Sequence, residues 1–465
     1  MITAYRVDDI RAAEAAAVQS LVGSGLPEGE LMQRAARGLA DALADIPLGE
    51  LVVVLAGPGD NGGDGLYAAK HLLDRGVRVD IAQLDPDRVH RAGLDAALSA
   101  GAQVVDGPSR QRWCLDGMFG IGSRAGLDGR AAEWAAWAST DDVTTVAVDV
   151  PSGIDVDGGT LPGAHVIADR TVTFGSYKVG LLAGPAADHA GEVRLVDIGV
   201  ELGTPALESL EAVDRDVLRP ALPRARGHKY TRGVVGVAAG SDQYPGAAHL
   251  VVAGAQSATA GMVRFVGSAA LGARVVDRAP EVVLSVGRVQ SWVVGPGGGA
   301  ETGDQLAMAL AQRIPTVIDA DALGALPAAF EIPVVLTPHA GELAAMLGTS
   351  RDAIEADPLG SVSAAASQWG CTVLLKGSRT LVATSGRPTR VNLTGTPWLG
   401  TAGSGDVLAG LIGALLASGL DTHDAASVGA FLHGRAAEHL GGPLTARDIA
   451  ATLPKVISEF GGEAS

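Results

Sequence analysis

The chain has 465 residues, of which 47% are hydrophobic and only 4% are aromatic, and its formal net charge is −17. This length is comfortable for two domains, and the abundance of small aliphatic residues favours closely packed βα units. The negative charge argues against binding nucleic acid or an anionic membrane through bulk electrostatics, although a loop of backbone N–H groups can still bind an anionic nucleotide.

The cysteines and the N-terminal segment indicate the compartment. Cys114 and Cys371 are far apart in sequence, which rules out a disulfide framework and a cysteine-based zinc site. Asp8 and Asp9 stand where a signal peptide would need an apolar run. No uncharged stretch reaches the roughly 20 apolar residues of a membrane span. We therefore expect a cytoplasmic protein with no membrane partner.

The first half of the chain alternates short apolar runs with helical patterns. The run LVVVLAG (51–57) is continuous rather than alternating, which predicts a buried strand. A helical pattern at residues 65–76 and an apolar run at 77–84 complete a βαβ unit. Further strands are predicted at residues 113–120, 144–151, 171–175 and 192–200.

The pattern breaks down between residues 201 and 232, where three prolines and clustered charges occur. A second α/β series follows, and helices after Asp406 and around residues 425–440 are expected to close the chain. Its strands are predicted at residues 233–241, 291–299, 316–323, 333–342 and 371–384. The sequence thus predicts an α/β protein of two doubly wound domains, a Rossmann-like three-layer sandwich at residues 1–210 and a second domain at residues 223–465.

A glycine-rich loop, GPGDNGGDG (57–65), lies directly between the first predicted strand and its helix. In an open parallel sheet, ligands bind beyond the carboxyl ends of the strands, where a helix start offers free N–H groups to an anion. The spacing differs from G-x-G-x-x-G, so a dinucleotide fingerprint is not supported. The alternative is a tight turn with Asp60 and Asn61 in left-handed conformations.

Two further acidic residues end strands of the same half. Asp116 ends the run WCLD before a glycine-rich segment, and Asp149 ends VAVD before VPSGIDVDGG. Either residue alone could be a helix cap or a turn residue. Three strand-end loops of this kind in one sheet favour a shared pocket.

The segments AGPGDNGGDGLYAAKHL, DGMFGIGSR and VAVDVPSGIDVDGG resemble the YjeF-type epimerase domain of bifunctional NAD(P)H-hydrate repair enzymes, over residues 5–200. The resemblance implies a potassium ion held by oxygens of Asn61, Asp116 and Ser152. It also implies that Asp149 touches the reacting ring, and the family usually has Asn where this chain has Asp60. The residues implied to hold the hydrated nucleotide are Asp60, Asn61, Gly62, Gly63, Asp64, Gly120, Ile121, Gly122, Ser123, Arg124, Ala125, Gly126 and Asp149.

The substrate of that family carries a hydroxyl on a ring carbon next to nitrogen. Such a carbon can lose and regain its configuration by acid–base steps, with no redox cofactor. A strand-end carboxylate such as Asp149 is the expected proton carrier. Oxygen ligands suit a hard cation, and the resemblance alone identifies that cation as potassium.

The stretch GTAGSGDVLAGLIGALL (400–416) places Asp406 where a glycine loop becomes a helix. Gly403, Ser404 and Gly405 can bring backbone N–H groups close to a phosphate, and the helix start adds partial positive charge. An anionic Asp406 beside that phosphate could take a proton from a hydroxyl. The alternative is an N-cap aspartate behind a flexible loop.

Six motifs resemble, in order and spacing, the ribokinase-like dehydratase domain of the same enzymes: HKYTRGVVGVAAGS, GPGGG, IDADAL, LTPHAGE, LLKGSRT and GTAGSGDVLAGLIGALLA. The resemblance covers residues 224–460. The residues implied to face the hydrate are Ala248, Gly297, Gly299, His339 and Asp406. Those implied to contact the adenine nucleotide are Lys376, Gly377, Ser378, Arg379, Thr380 and Gly405.

Other residues of these motifs are less specific. Glu342 either orients metal-bound water or phosphate or is the first acidic residue of a helix. At least one of Asp319 and Asp321, at a strand end, is expected to face the pocket. Cys371 and Trp369 are expected to pack in the core.

The resemblance implies repair of hydrated NADH and NADPH. The first domain would interconvert the R and S epimers, and the second would use ADP with Mg²⁺ to remove water from the S epimer. The implied small-molecule partners are the hydrated forms of NADH and NADPH, called NADHX and NADPHX, together with ADP. We also expect a homo-oligomer that binds no nucleic acid. Two alternatives stay open: a ribokinase-like kinase of the hydroxymethylpyrimidine type, and an N-terminal half that is a non-catalytic binding or dimerisation module.

Overall fold

A computed structural model describes residues 1–211, 214–218, 222 and 228–460 of the chain. The chain divides into two compact units: Thr3–Leu207, here the N-terminal unit, and Glu208–Ser465 with Met1–Ile2, here the C-terminal unit. The stretch between the two predicted domains, residues 211–222, falls partly on 212–213 and 219–221, outside the described residues. Residues 223–227 and 461–465 of the predicted second domain also lie outside them.

The N-terminal unit is an α/β structure. Its strands are β1 (Ile2–Tyr5), β2 (Leu51–Ala56), β3 (Arg78–Gln83), β4 (Gln103–Val105), β5 (Trp113–Gly117), β6 (Thr144–Val148), β7 (Arg170–Phe174), β8 (Tyr177–Lys178) and β9 (Glu192–Val196). Its helices are α1 (Val7–Gly23), α2 (Glu30–Ala42), α3 (Asp60–Asp74), α4 (Arg91–Ser99), α5 (Gly129–Ala138) and α6 (Val179–Leu182), with a 3-10 helix at Pro185–His189.

Seven of these strands form a parallel sheet in the order β4-β3-β2-β5-β6-β7-β9. β2 shows why the sheet is covered on both faces. Val52 and Val54 pack into one hydrophobic cluster, whereas Val53 and Leu55 pack into another, and all four are fully buried. A continuous apolar run is the sequence signature of such a strand. The strand order reverses between β2 and β5, which is where a doubly wound sheet opens a crevice.

The C-terminal unit is a second α/β structure. Its strands, after β10 (Leu207–Ser209) at the boundary, are β11 (Val234–Ala238), β12 (Met262–Phe265), β13 (Val283–Leu284), β14 (Ser291–Val294), β15 (Thr316–Ile318), β16 (Val334–Leu336), β17 (Thr372–Leu375), β18 (Thr380–Ala383) and β19 (Thr389–Asn392). Its helices are α7 (Arg215–Leu218), α8 (Pro245–Gln256), α9 (Ala269–Arg278), α10 (Thr302–Ala311), α11 (Ala340–Leu347), α12 (Arg351–Ala356), α13 (Pro358–Trp369), α14 (Ser404–Ala417), α15 (Thr422–Leu440) and α16 (Ala446–Phe460). Among the described residues of this unit, 3-10 helices lie at Gly299–Glu301, Ala320–Ala325 and Pro397–Leu399.

The strands of this unit run in the order β13-β12-β11-β14-β15-β16-β17-β18-β19. The pairs from β13 to β17 are parallel, and β17-β18-β19 are antiparallel. The order reverses between β11 and β14, so a second crevice is expected at their carboxyl ends. The predicted fold class, two doubly wound α/β structures, is confirmed.

Several details differ from the sequence-based expectations. The segment 371–384 is a hairpin of two strands rather than one strand. Residues 425–440 do not close the chain, because α16 follows them. α3 begins at Asp60, so most of the predicted loop 57–65 is helix. A helical N-terminal turn still leaves its first N–H groups without partners inside the helix.

None of the helices in the described part of the chain is both long and apolar enough to span a bilayer.

Candidate functional sites

The turn from β2 into α3 forms one wall of the first site. Gly59 has φ +97°, a left-handed conformation that favours glycine, and it precedes the first residue of α3. A Cβ on Gly62 would collide with the carbonyl oxygen of Gly57, and a Cβ on Gly63 would lie 3.0 Å from His90 Cγ and Met32 Cε. The glycines therefore let the start of α3 approach its neighbours closely, and Gly62 and Gly63 are themselves buried.

A cavity of about 1230 Å³ opens at this turn within the N-terminal unit. Its walls come from α1, α2, the start of α3, the loop after β5 and the end of β6. The predicted substrate residues in its lining are Asp60, Asn61, Asp64, Gly120, Ile121, Gly122, Ser123 and Asp149. Arg124 instead lies 3.6 Å from Asp128 on the exposed surface, and Gly126 donates its N–H to the carbonyl of Gly153.

Asp149 is held at the end of β6 by a fully buried lysine. Its φ of +67° is left-handed, which is unusual for a residue other than glycine and concentrates at functional sites. The ammonium of Lys178 forms an ion pair with Asp149 Oδ1 and donates to Thr173 Oγ1 and the Phe174 carbonyl, each at 2.9 Å. Lys178 is 1% exposed. The sequence analysis missed it, because no motif marks a lysine 29 residues after its partner.

Asp116 and Ser152 meet behind the cavity, as a shared site requires. Ser152 donates its hydroxyl to Asp116 Oδ1 at 2.6 Å and its N–H to Oδ2 at 2.8 Å, and Met118 N–H also donates. Burial raises the pKa of Asp116 to about 6, against the hydrogen bonds that lower it. All three of these donors are uncharged, so these hydrogen bonds give the buried carboxyl group no cationic partner.

Asn61 completes this arrangement. A Cβ on Gly120 would lie 3.2 Å from Asn61 Oδ1, which places the amide against the loop after β5. The Asn61 amide nitrogen is buried and has no hydrogen-bond partner among the described residues. An amide flip would place an oxygen at that unpaired position, since the two ends have the same shape. The donor set of carboxylate, hydroxyl and amide oxygens therefore fits a hard monovalent cation.

Other carboxyl groups of the cavity have raised pKa values. Burial raises the pKa of Glu14, and the nearby carboxylate of Asp149 raises it further. The pKa of Asp64 is also well above its usual value, because burial raises it most and the Asp149 carboxylate raises it further. Glu14 comes from α1, which also carries Arg11 to the loop at Gly122. The sequence analysis named neither Glu14 nor Arg11, since an amphipathic helix gives no local signal of the cavity that it borders.

The second site lies at the N-terminus of α14. Gly403 precedes the helix with a left-handed φ of +84°. Ser404 donates its hydroxyl to the Leu399 carbonyl at 2.8 Å, and the Ser404 carbonyl accepts from His433 Nε2 at 3.0 Å. α14 itself is buried along its length and packs on α8 through glycines: a Cβ on Gly410 would collide with the Val251 carbonyl. The catalytic turn proposed from the sequence is therefore firmly anchored.

Asp406 lies in the first turn of α14. Burial raises its pKa to about 7, Asp319 raises it further, and Lys376 lowers it. Lys376 Nζ lies 2.8 Å from Asp319 Oδ1 and 3.8 Å from Glu342 Oε2. A carboxyl group with a pKa close to neutral, at a helix start and beside a lysine, has the properties of a general base next to an anion site.

His339 and Glu342 have a structural task that the sequence left open. His339 caps α11 by accepting the Glu342 N–H at Nδ1, and Glu342 Oε2 accepts the His339 N–H at 2.8 Å. His339 also pairs in a parallel bridge with Lys376, whose N–H donates to the Pro338 carbonyl. Glu342 is thus both the capping acid of a helix and a neighbour of Lys376.

The remaining predicted residues fall at three places. Gly297 and Gly299, both with φ near +60°, follow β14 at the point where the strand order reverses. The N–H of Gly299 donates to Asp321. Asp319, in contrast, is the buried partner of Lys376. Ala248 is fully buried, so a contact with the hydrate would require its neighbours to move. Residues 377–379 form the turn between β17 and β18, at which Thr380 begins the second strand. Trp369 and Cys371 pack in the core as predicted.

The chain matches two family models. One, described as YjeF-related protein N-terminus, matches residues 28–180, and one described as NAD(P)H-hydrate dehydratase matches residues 235–459. The bifunctional NAD(P)H-hydrate repair enzyme of Mycobacterium leprae is 42% identical over 477 residues, covering 98% of each chain. That of Mycobacterium tuberculosis is 44% identical over 444 residues, covering 91% of each.

A solved structure resembles the C-terminal part. The ADP/ATP-dependent NAD(P)H-hydrate dehydratase of Bacillus subtilis, co-crystallised with ATP and Mg²⁺, is 29% identical with a TM-score of 0.50. The match covers 53% of this chain and 97% of the Bacillus subtilis chain.

Proposed function

This chain belongs to the family of bifunctional NAD(P)H-hydrate repair enzymes, and we propose that its two units divide the repair between them. The predicted domain 1–210 epimerises R- and S-NAD(P)HX at the cavity that Asp149 borders. The predicted domain 223–465 dehydrates S-NAD(P)HX to NAD(P)H with ADP at the start of α14. The observation that carries the proposal is Asp406, a half-buried acid of near-neutral pKa beside Lys376 at a helix N-terminus.

The proposed dehydration follows the logic of a kinase. Asp406 takes the proton of the ring hydroxyl, and the hydroxyl oxygen attacks the terminal phosphorus of ADP, which releases AMP. The ring nitrogen then expels inorganic phosphate, and loss of a ring proton restores the dihydropyridine. Free N–H groups in the first turn of α14 stabilise the phosphoryl oxygens. Lys376 supplies positive charge, and the turn 377–380 with Gly405 contacts the nucleotide.

Two ions belong to the proposal. Potassium would be held by Asn61, Asp116 and Ser152, where it offsets the buried negative charge and fixes the loop after β5. Among the described residues, no three His, Cys, Asp or Glu side chains gather as a metal site. Mg²⁺ would therefore reach the second site through the ADP phosphates, which suits its reluctance to lose water. Homo-oligomeric assembly and a cytoplasmic location stay predictions.

The test of the second site starts from hydrated NADH with ADP. Recovery of the dihydronicotinamide absorbance is expected with the unaltered protein, and Asp406→Asn should slow it by about 10²-fold or more. Asp352→Asn, which neutralises an exposed acid on α12, serves as the control. Accumulation of a stable phosphorylated product without NADH would instead indicate a small-molecule kinase.

The first site is tested with separated epimers. Asp149→Asn should leave the R epimer unused while the S epimer is still consumed in the presence of ADP. Consumption of both epimers, after correction for spontaneous epimerisation, would refute the role of Asp149 and support a non-catalytic N-terminal unit.

A further inference from the structure

Inversion of one carbon needs a proton donor as well as a proton acceptor, and the hydrogen bonds of Asp149 assign it to one of these tasks. Its Oδ1 accepts from Lys178, from the Thr173 hydroxyl at 3.1 Å and from the Phe174 N–H at 3.1 Å. All three of these groups donate, so Asp149 Oδ1 is a hydrogen-bond acceptor toward each of its neighbours. Asp149 is therefore suited to accept a proton, and another group of the cavity has to donate one.

Glu14 is the carboxyl group of the cavity that meets this need from another wall. It lies on α1 and is half-buried, whereas Asp149 lies at the end of β6. The charged groups that act on it are Asp149, Asp60, Lys178 and, on its own helix, Arg11. Burial is the largest cause that raises its pKa above the usual value, and Asp149 and Asp60 raise it further, whereas Lys178 and Arg11 lower it.

We propose that Glu14 is a catalytic residue of the N-terminal unit and acts as the general acid of the epimerisation, paired with Asp149 as the base. This inference rests on the proposed epimerase function. A single group cannot serve both faces of the reacting carbon at once, whereas two groups on different walls can.

The step balances without a further reactant. The lone pair of the ring nitrogen forms a double bond to the reacting carbon as its C–O bond breaks, and Glu14 gives its proton to the departing oxygen, which leaves as water. A water molecule then adds to the other face of the cationic ring, and Asp149 accepts the proton that it loses. Exchange with solvent through the open cavity returns both carboxyl groups to their starting states.

The acidic surroundings stabilise the cationic ring between these two steps. Asp60 and Asp149 border the same cavity, so developing positive charge meets fixed negative charge in a partly buried site. Arg11, which approaches the loop at Gly122, offers a cation to the substrate phosphates.

The experiment follows conversion of the pure R hydrate of NADH to the S hydrate by chromatography, in the absence of ADP so that no dehydration occurs. Glu14→Gln should lower kcat by about 10²-fold or more, with little change in KM, because a neutral amide keeps the shape but has no acidic proton to give. Glu133→Gln, which neutralises an exposed carboxylate on α5, should behave like the unaltered protein. Dehydration of the pure S hydrate with ADP should be unchanged in both variants, which shows that the C-terminal unit is intact, and an unchanged Tm of the N-terminal unit shows that the substituted unit is folded.

The pH profile separates an acid from a merely structural residue. In the unaltered protein, kcat for epimerisation should fall as pH rises through the raised pKa of Glu14, and Glu14→Gln should lose that limb. Glu14→Asp keeps an acid and should recover part of the rate. An unaltered rate in Glu14→Gln, or a basic limb that persists in it, would overturn the inference. If the unaltered protein itself does not exceed the spontaneous rate, the epimerase function fails instead.

Discussion

Lys376 and Asp319 form an ion pair at the second site, with Lys376 Nζ 2.8 Å from an Asp319 carboxylate that is 2% exposed. Burial by itself would lower the pKa of Lys376, but Asp319 and Glu342 raise it above its usual value. The lysine is therefore held as a cation beside Asp406. Burial is the main cause of the raised pKa of Asp406, and because Asp319 raises it further while Lys376 lowers it, this pair adjusts the pH at which the proposed base becomes active.

The first prediction concerns Asp319→Asn. Asp406 must be ionised to act as a base, so dehydration should fall as pH drops below about 7, to roughly a tenth of its full rate one unit lower. Removing Asp319 takes away a negative charge and leaves Lys376 free to stabilise ionised Asp406. The acidic limb of kcat/KM should therefore move to lower pH, as measured in a series of buffers. A limb that stays in place, or moves to higher pH, would contradict this coupling.

The second prediction concerns the buried ion pair of the first site. Lys178→Met should lower the free energy of unfolding by roughly 3–5 kcal/mol, because it leaves the Asp149 carboxylate buried without its cation. The double variant Lys178→Met with Asp149→Asn should lose less than the sum of the two single changes. Urea unfolding, monitored by hydrogen exchange in β6 and β7, measures the free energy of unfolding of the two single variants and the double variant. Additive losses would show that the two side chains do not depend on each other.

The third prediction concerns the cation at Asp116. Replacing potassium with tetramethylammonium should slow epimerisation and lower the Tm of the N-terminal unit, since an ion that binds only the folded state stabilises it. Asp116→Asn removes the buried charge and should abolish both responses while keeping the shape of the side chain. The readout is a potassium titration of Tm with and without the substitution. Equal responses in the two proteins would place the cation elsewhere.

The fourth prediction concerns His433, which anchors the start of α14. A carbonyl can only accept, so Nε2 carries the proton that bonds Ser404. Burial lowers the pKa of His433 to about 4, whereas the unfolded chain takes up this proton near pH 6.5. Neutral His433 therefore contributes fully to the free energy of unfolding above about pH 6.5. This contribution, roughly 3 kcal/mol, is lost as pH falls toward about 4.

His433→Gln keeps a donor but cannot titrate. The variant should match the unaltered protein near neutral pH and retain more stability at about pH 5. Hydrogen exchange of α14 over this pH range measures the difference. A parallel decline in both proteins would assign the acid sensitivity to another group, such as His423, whose pKa burial lowers to about 3.

Much of the fold could be predicted because its signals are local. The continuous apolar run in β2 and the glycine–Asp motif at α14 each report the environment of a short segment. The elements that were missed or misread are those whose ends depend on neighbours. α3 begins at Asp60 because Gly59 adopts a left-handed φ and Gly62 packs against Gly57, which no periodicity reveals.

The candidate sites divide in the same way. Sequence motifs named Asp116, Asp149 and Asp406, because each ends a strand or begins a helix. They did not name Glu14, which lines the first cavity from α1, or Lys178, which contacts Asp149 from the short strand β8.

The sequence by itself determined two doubly wound α/β units and the strand ends at which polar groups collect. Patterns only a few residues long are enough to indicate which segments are buried strands and where each strand ends. Only the tertiary structure decided which charges face each other. Lys178 meets Asp149, and Lys376 meets Asp319 57 residues away, because the folding of each unit brings together segments that are distant in sequence. Those contacts depend on the packing of the whole unit, and the pKa values at the sites depend on burial and on these neighbours.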